Sequence, residues 1–184
     1  LRIEDTDQGR YVEGAEDYIV EALDWCGLNL DESPKLGGEY GPYRQSERKD
    51  IYKKHVDQLI ASGNAYYAFD SSESLTAKRT AYESEKTTFK YDASVRAEMD
   101  NSLSMSAAAL EKRLNSGEAY TIRLKVPIDE KVVVEDEVRG NVSFDSNELD
   151  DKILLKADGM PTYHLANVVD DYSMKISHVI RGEE

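Results

Sequence analysis

A chain of 184 residues can bury one sizeable core or two modest ones, and 40% hydrophobic against 33% charged residues is the balance of a folded globular protein. The net charge of −14 speaks against capture of nucleic acid by bulk electrostatics, so any such role must rest on a local basic patch. The one cysteine, Cys26, rules out an internal disulfide and, by count, a cysteine-based zinc site, and it suits a reduced, cytoplasmic setting; no apolar run reaches the roughly 18 residues of a membrane span.

LRIEDTD (1–7) opens as an apolar strand and closes on carboxylates. No methionine, basic region or cleavage site precedes it, and the sequence stops in ISHVIRGEE (176–184), read as a strand running into charged residues. Both ends are therefore expected to be cuts within a longer chain. From Gly14, the residues Ala15, Tyr18, Ile19, Ala22, Leu23 and Cys26 fall on one helical face, with Glu16, Asp17, Glu21 and Asp24 opposite. Cys26, on that apolar face with no basic neighbour, is expected to be an inert core thiol. After the Gly- and Pro-rich loop 31–45, a second helix is predicted from about Ser46 to Ser62, with an apolar stripe of Tyr52, Val56, Leu59 and Ile60.

The pattern changes beyond Gly63. AYYAF (65–69) is strand-like, and polar helical stretches are predicted at 71–86, 92–101 and 106–116. Between 118 and 157 the period becomes two, in EAYTIRLKVP, KVVVEDEVRG, NVSFD and DKILLKADG, which predicts a small, mostly antiparallel sheet. After Gly159 helix and strand return. An α/β framework interrupted for roughly 100 residues has the shape of a domain inserted between two strands of a nucleotide-binding fold.

Four places could carry chemistry. In RIEDTD, carboxylates at a strand's carboxyl edge could hold an amine or magnesium, while a solvated acidic turn fits the same pattern. In GMPTYHLANVVDD (159–171), Pro161 and Thr162 suit a helix start, which sets Tyr163 and Asn167 on one face, one turn apart. That pair can orient a small polar ligand, or both can be satisfied by backbone in a half-buried helix. Leu165, Val168, Val169 and Tyr172 are expected to fill core. His164, four residues before Val168 rather than a second ligand, is read as structural. Arg181, after Val179-Ile180 and before the small Gly182, could grip a carboxylate with two bonds or simply pair with Glu183 or Glu184. Arg123, Lys125, Arg139, Lys152 and Lys156 are candidates for phosphate contact or ordinary solvated strand faces. A magnesium-dependent phosphohydrolase built on Glu4, Asp5, Asp7, Asp170 and Asp171 lacks a phosphate-cradling glycine loop.

LRIEDTD, GPYRQSER, DGMPTYHLANVVDD and SHVIRGEE, in that order, make the sequence similar to the bacterial-type glutamyl-tRNA synthetases, a class I aminoacyl-tRNA synthetase family. The resemblance implies a Rossmann-type α/β catalytic domain over 1–63 and 160–184, with 64–159 an inserted α+β connective-peptide domain that meets the tRNA acceptor end. It implies that Glu4 receives the amino group of glutamate, that Tyr163 and Asn167 line the glutamate pocket, and that Arg181 selects the anionic side chain. Asp7 and Arg10 would lie near the incoming tRNA, and Gly182, Glu183 and Glu184 near ATP, largely through backbone. The HIGH-type and KMSKS-type motifs of the family are absent, so this chain is expected not to activate glutamate alone, although its parent would, using ATP with Mg2+ and no zinc. The implied parent is a cytoplasmic, monomeric ligase acting on tRNA(Glu). A binding module for the acceptor stem, without catalysis, is the alternative.

Overall fold

Local signals place the first helix. Gly14 adopts φ of 80°, a left-handed turn that glycine takes without steric penalty, and it stands at the N-cap of α1 (Ala15–Trp25), whose first turn carries Glu16 and Asp17 toward the positive helix end. The computed structural model describes residues 1–182. The apolar face of α1 is not a core face here: Leu23 is half-buried, but Tyr18 is 73% exposed and Cys26 is exposed, against its expected place in a core. Periodicity specifies which residues share a face; burial needs an element to cover it.

A 3₁₀ turn at Gln45–Glu47 leads into α2 (Lys49–Ala61), so the single predicted helix is a tight turn followed by a regular helix. Its stripe is as expected, with Tyr52 and Val56 fully buried. The chain divides into two compact units, Val56–Ala157 and the remainder on either side of it, and the first division falls inside α2.

In the middle unit, β1 (Ala65–Ala68), α3 (Ser72–Ser84), α4 (Ala107–Asn115) and β2 (Thr121–Leu124) are followed by β3 (Lys131–Asp136), β4 (Gly140–Asp145) and β5 (Ile153–Leu155). The Ser71 and Ser106 hydroxyls cap α3 and α4 by accepting from the amides of Ser74 and Ala109. The strands are antiparallel, as the alternation predicts, but they form two sheets: β1-β2-β5, and a separate β3-β4 hairpin in which Val132, Val133 and Val134 are exposed. Tyr66, Ala68, Tyr91, Val95 and Met99 form a core against which Leu75, Tyr82 and Phe89 pack.

The predicted helix 92–101 is instead irregular, with only a 3₁₀ turn at Arg96–Glu98. The reason is Arg96, which is drawn inward to Asp151: its Nε and Nη2 donate to the two carboxylate oxygens at 2.8 and 2.7 Å, and Nη2 also donates to the Val126 carbonyl. Tyr66 Oη donates to the same carboxylate at 2.5 Å, and the Val126 amide donates at 3.0 Å. Asp151 is fully buried, and its charge is matched by a bidentate guanidinium.

In the other unit, α5 (Tyr163–Ser173) buries Leu165, Ala166, Val169 and Asp170. Each large apolar side chain buried there contributes about 1.5–3 kcal/mol. Val168 and Tyr172, expected in the core, are 68% and 78% exposed, because they lie on the helix's other flank. Thr162 is the N-cap residue, yet its side chain makes no capping bond, and Pro161 sits buried just before it. Neither expected end strand forms a sheet. Ile3 makes one parallel bridge with Arg44, and 176–182 lie outside any helix or strand; β-branched residues favour extension, but a ladder needs a neighbouring edge.

Candidate functional site

The short RIED and PYRQS segments are tied together. The Ile3 amide donates to the Tyr43 carbonyl at 2.8 Å, and the Gln45 amide donates to the Ile3 carbonyl at 3.0 Å. Asp5 then accepts from the Ser46 amide at 2.8 Å and from its hydroxyl at 2.5 Å. These bonds fix Glu4 beside a pocket of about 720 Å³, whose wall also includes Tyr163, Asn167 and Arg181. The four residues singled out for a glutamate site thus border one cavity. Tyr163 and Asn167 share a face of α5, as the one-turn spacing predicts. His164, read as structural, is exposed on the same wall, its ring edge-on to Tyr163.

Glu4 is tied to a neighbouring cation. Arg2 Nη2 donates to its carboxylate at 3.0 Å while Nη1 donates to Asp171 at 2.8 Å. Burial pushes the Arg2 guanidinium toward a lower pKa, but the bonds to Asp171 and then Glu4 outweigh it, and the net direction is up. Arg2 therefore stays cationic between two carboxylates.

Below the pocket lies a second buried aspartate. Asp170 is fully buried and accepts from Arg48 Nε at 2.8 Å, Tyr52 Oη at 2.8 Å and Gln45 Nε2 at 3.0 Å. Burial, then the bond to Asp170, raises the Tyr52 pKa well above that of a free phenol, so its proton stays on. Arg48 also donates to the carbonyls of Tyr40 and Pro42 and to the Ser173 hydroxyl, which pins the loop before α2 onto α5. Gln45 Nε2 reaches one step further, to Asn167 Oδ1 at 3.2 Å. Sequence reasoning read Tyr52 only as part of the apolar stripe of α2 and passed over Gln45 and Arg48, though GPYRQSER is one of the motifs that carry the family resemblance. The available signal was its pair of arginines and a glutamine beside a helix start, polar residues with no reason of their own to be buried.

Family membership follows from comparison. The family described as the catalytic domain of class I tRNA synthetases (E and Q) matches residues 1–184. The chain belongs to this family. It is 56% identical to the glutamate-tRNA ligases of Christiangramia forsetii and Flavobacterium johnsoniae over all of its length, and spans 36% and 37% of theirs. A crystal structure of the Elizabethkingia meningosepticum glutamate-tRNA ligase in complex with its amino acid matches with a TM-score of 0.96 at 50% identity, covering 100% of this chain and 36% of that one. The mixed α/β architecture is that of the class I synthetase catalytic domain.

The other predicted positions fall elsewhere. Asp7 and Arg10 pair with each other at 2.6 Å on the exposed surface and do not border the pocket. Gly182 is exposed, while Glu183 and Glu184 lie outside the described residues. Among the phosphate candidates, Arg123 is withdrawn: it is buried, donates to the Asp151 carbonyl at 2.9 Å and stacks 3.8 Å from the centre of the Tyr91 ring. Lys152 pairs with Asp150 at 2.7 Å, and Arg139 is exposed beside the β3-β4 turn. The carboxylates of the phosphohydrolase reading are already engaged, Asp170 by Arg48, Asp171 by Arg2 and Asp5 by Ser46. Among the described residues no helix is long and apolar enough to cross a membrane.

Proposed function

We propose that this chain is the catalytic-domain segment of a glutamate-tRNA ligase, which activates glutamate with ATP and transfers it to the 3′ end of tRNA(Glu). The observation that carries this reading is the pocket that gathers Glu4, Tyr163, Asn167 and Arg181 in a chain 56% identical throughout to named glutamate-tRNA ligases. Glutamate has one ammonium and two carboxylates. Glu4 offers the complementary charge for the ammonium, and Arg181 offers a planar fork of donors for the side-chain carboxylate. Tyr163 and Asn167 supply neutral hydrogen-bonding groups between them.

The reaction is two displacements. The α-carboxylate attacks the α-phosphorus of ATP and pyrophosphate leaves; a ribose hydroxyl of the tRNA terminus then attacks the acyl carbon and AMP leaves. Positioning and charge stabilisation supply most of such rate enhancement, so no side-chain nucleophile is required. Magnesium accompanies ATP as part of the substrate complex. Gly182, Glu183 and Glu184 are assigned to the ATP side, Asp7 and Arg10 to the tRNA side, and 64–159 to the connective-peptide domain that meets the acceptor stem. The parent is read as a monomeric cytoplasmic enzyme.

The test is glutamate-dependent exchange of pyrophosphate into ATP in the presence of tRNA(Glu), measured on the full-length protein and on the 184-residue chain. Exchange in the former and none in the latter is expected. Salt-dependent tRNA binding without exchange by the full-length protein would favour the non-catalytic module instead.

A further inference from the structure

We infer that Gln45 is a positioning residue that sets the hydrogen-bond polarity of the pocket: the buried Asp170 carboxylate, acting through Gln45, makes Asn167 a donor toward an acidic ligand. This rests on the ligase reading for the identity of that ligand, and on hydrogen-bond geometry for everything else.

The chain of necessity starts at Asp170. Its oxygens take bonds from Arg48 Nε and Tyr52 Oη, and an arginine nitrogen can only donate, so the carboxylate is an acceptor toward its neighbours. Gln45, with no exposed surface, has Nε2 3.0 Å from Asp170 Oδ2. The opposite orientation of its carboxamide would set a carbonyl oxygen against a carboxylate, with no proton between them. Gln45 must therefore present its amine end. That end has two protons, and the second goes to Asn167 at 3.2 Å. Only the Asn167 oxygen can receive it, so the Nδ2 end is left as the donor of a residue that lines the pocket.

A carboxamide is otherwise ambiguous. Rotated by half a turn, Asn167 would show the pocket a carbonyl, which suits an ammonium and repels a carboxylate. The arrangement has an internal cost that argues for its direction: Gln45 Oε1 is buried without a hydrogen-bond partner among the described residues. Turning Gln45 over would move that oxygen toward Asp170, which is worse, so the orphan acceptor marks the network's fixed sense. Asp170 does not line the pocket, yet its charge is transmitted through two amides to the pocket wall.

The experiment uses steady-state exchange kinetics of the full-length protein with glutamate varied, and a thermal melt of each variant. Gln45→Met, similar in volume but without either bond, is expected to raise the glutamate KM about tenfold with kcat within about twofold, since one charge-directed hydrogen bond loses its orientation. In an Asn167→Ala background the same substitution is expected to add nothing, because Gln45 acts only through Asn167. Asn167→Asp keeps the oxygen that accepts from Gln45 but replaces the donor with an acceptor, and is expected to raise KM about 100-fold. Should Gln45→Met melt far below the unsubstituted protein, Asn167→Asp decides alone. Additive KM effects in the double variant, or a KM within about twofold for Asn167→Asp, overturn the inference while leaving the ligase reading intact. Failure of the unsubstituted protein to exchange with glutamate overturns the ligase reading and this one with it.

Discussion

Two buried aspartates, one in each unit, are built from the same parts and serve different ends. Asp151 and Asp170 are both fully buried, both paired with an arginine and both bonded by a tyrosine hydroxyl. Around Asp151 the arrangement is closed: Arg96 takes both oxygens, and the Val126 amide supplies a further donor. Around Asp170 it is open. Arg48 Nε meets one oxygen, Gln45 meets the other and passes on to Asn167, and Arg2 stands 3.7 Å away between Glu4 and Asp171. Among the described residues, buried atoms without a hydrogen-bond partner occur beside both: Gln45 Oε1 and Arg2 Nε near Asp170, and Arg123 Nε near Asp151, whose carbonyl accepts from the same guanidinium. Buried charge that closes on itself fixes an irregular segment, whereas buried charge left partly open can orient a pocket wall.

The sharpest way to break this comparison is to delete each carboxylate. Asp151→Ala and Asp170→Ala each strand a buried guanidinium and are expected to lose about 3–5 kcal/mol in urea unfolding. Among molecules that remain folded, only Asp170→Ala should raise the glutamate KM; an equal rise for Asp151→Ala would show that the closed cluster is not confined to structure.

Alkaline pH probes both clusters together. Burial, and then hydrogen bonds to Asp170 and Asp151, raise the pKa of Tyr52 and Tyr66, and burial does the same for Tyr91. In the unfolded chain these phenols ionise near the ordinary value of about 10, while in the native protein they hold their protons. The native state then binds more protons than the unfolded one, so stability is intact below about pH 10 and falls above it, by about 1.4 kcal/mol per pH unit for each tyrosine. Urea midpoints between pH 9 and 11 measure the slope, and Tyr66→Phe should make it shallower.

At neutral pH, Tyr52→Phe and Tyr66→Phe remove single bonds to the carboxylates and are expected to lower stability by about 1–3 kcal/mol each, read from urea midpoints. Asp7→Asn stands at the other extreme. Its pair with Arg10 is exposed, 54% and 84% for the two side chains, and no resolvable change in Tm is expected. If the Asp7 substitution alters tRNA charging while Tm stays fixed, the surface position is functional despite contributing nothing to the fold.

Periodicity was enough to find α1 to α5 and β1 to β5, because apolar residues spaced at 3.6 or 2 have few other ways to reach a common face. It failed where a charge overrode it. The stretch 92–101 has helical spacing, but the pull of Asp151 on Arg96 breaks the helix, and the two residues are 55 positions apart. Pairing was equally invisible: Ile3 finds a single bridge, and 176–182 find none among the described residues. In the pocket, Tyr163 and Asn167 were legible from their one-turn spacing on α5, a local property. Arg2, Gln45 and Arg48 were not, since each meets its partner across 122 or more residues of chain.

The sequence alone determined what is local: helix phase on α5, strand alternation, the exclusion of a disulfide, and four short motifs whose order marks the family. Tertiary structure decided which of the polar residues became buried and which way they face. Glu4, Tyr163, Asn167 and Arg181 could be named from the sequence, but the direction of the Asn167 amide could not. A carboxamide has no polarity of its own choosing; it takes one from the nearest fixed charge, and that charge, Asp170 met through Gln45, is assembled only when the two ends of the chain come together.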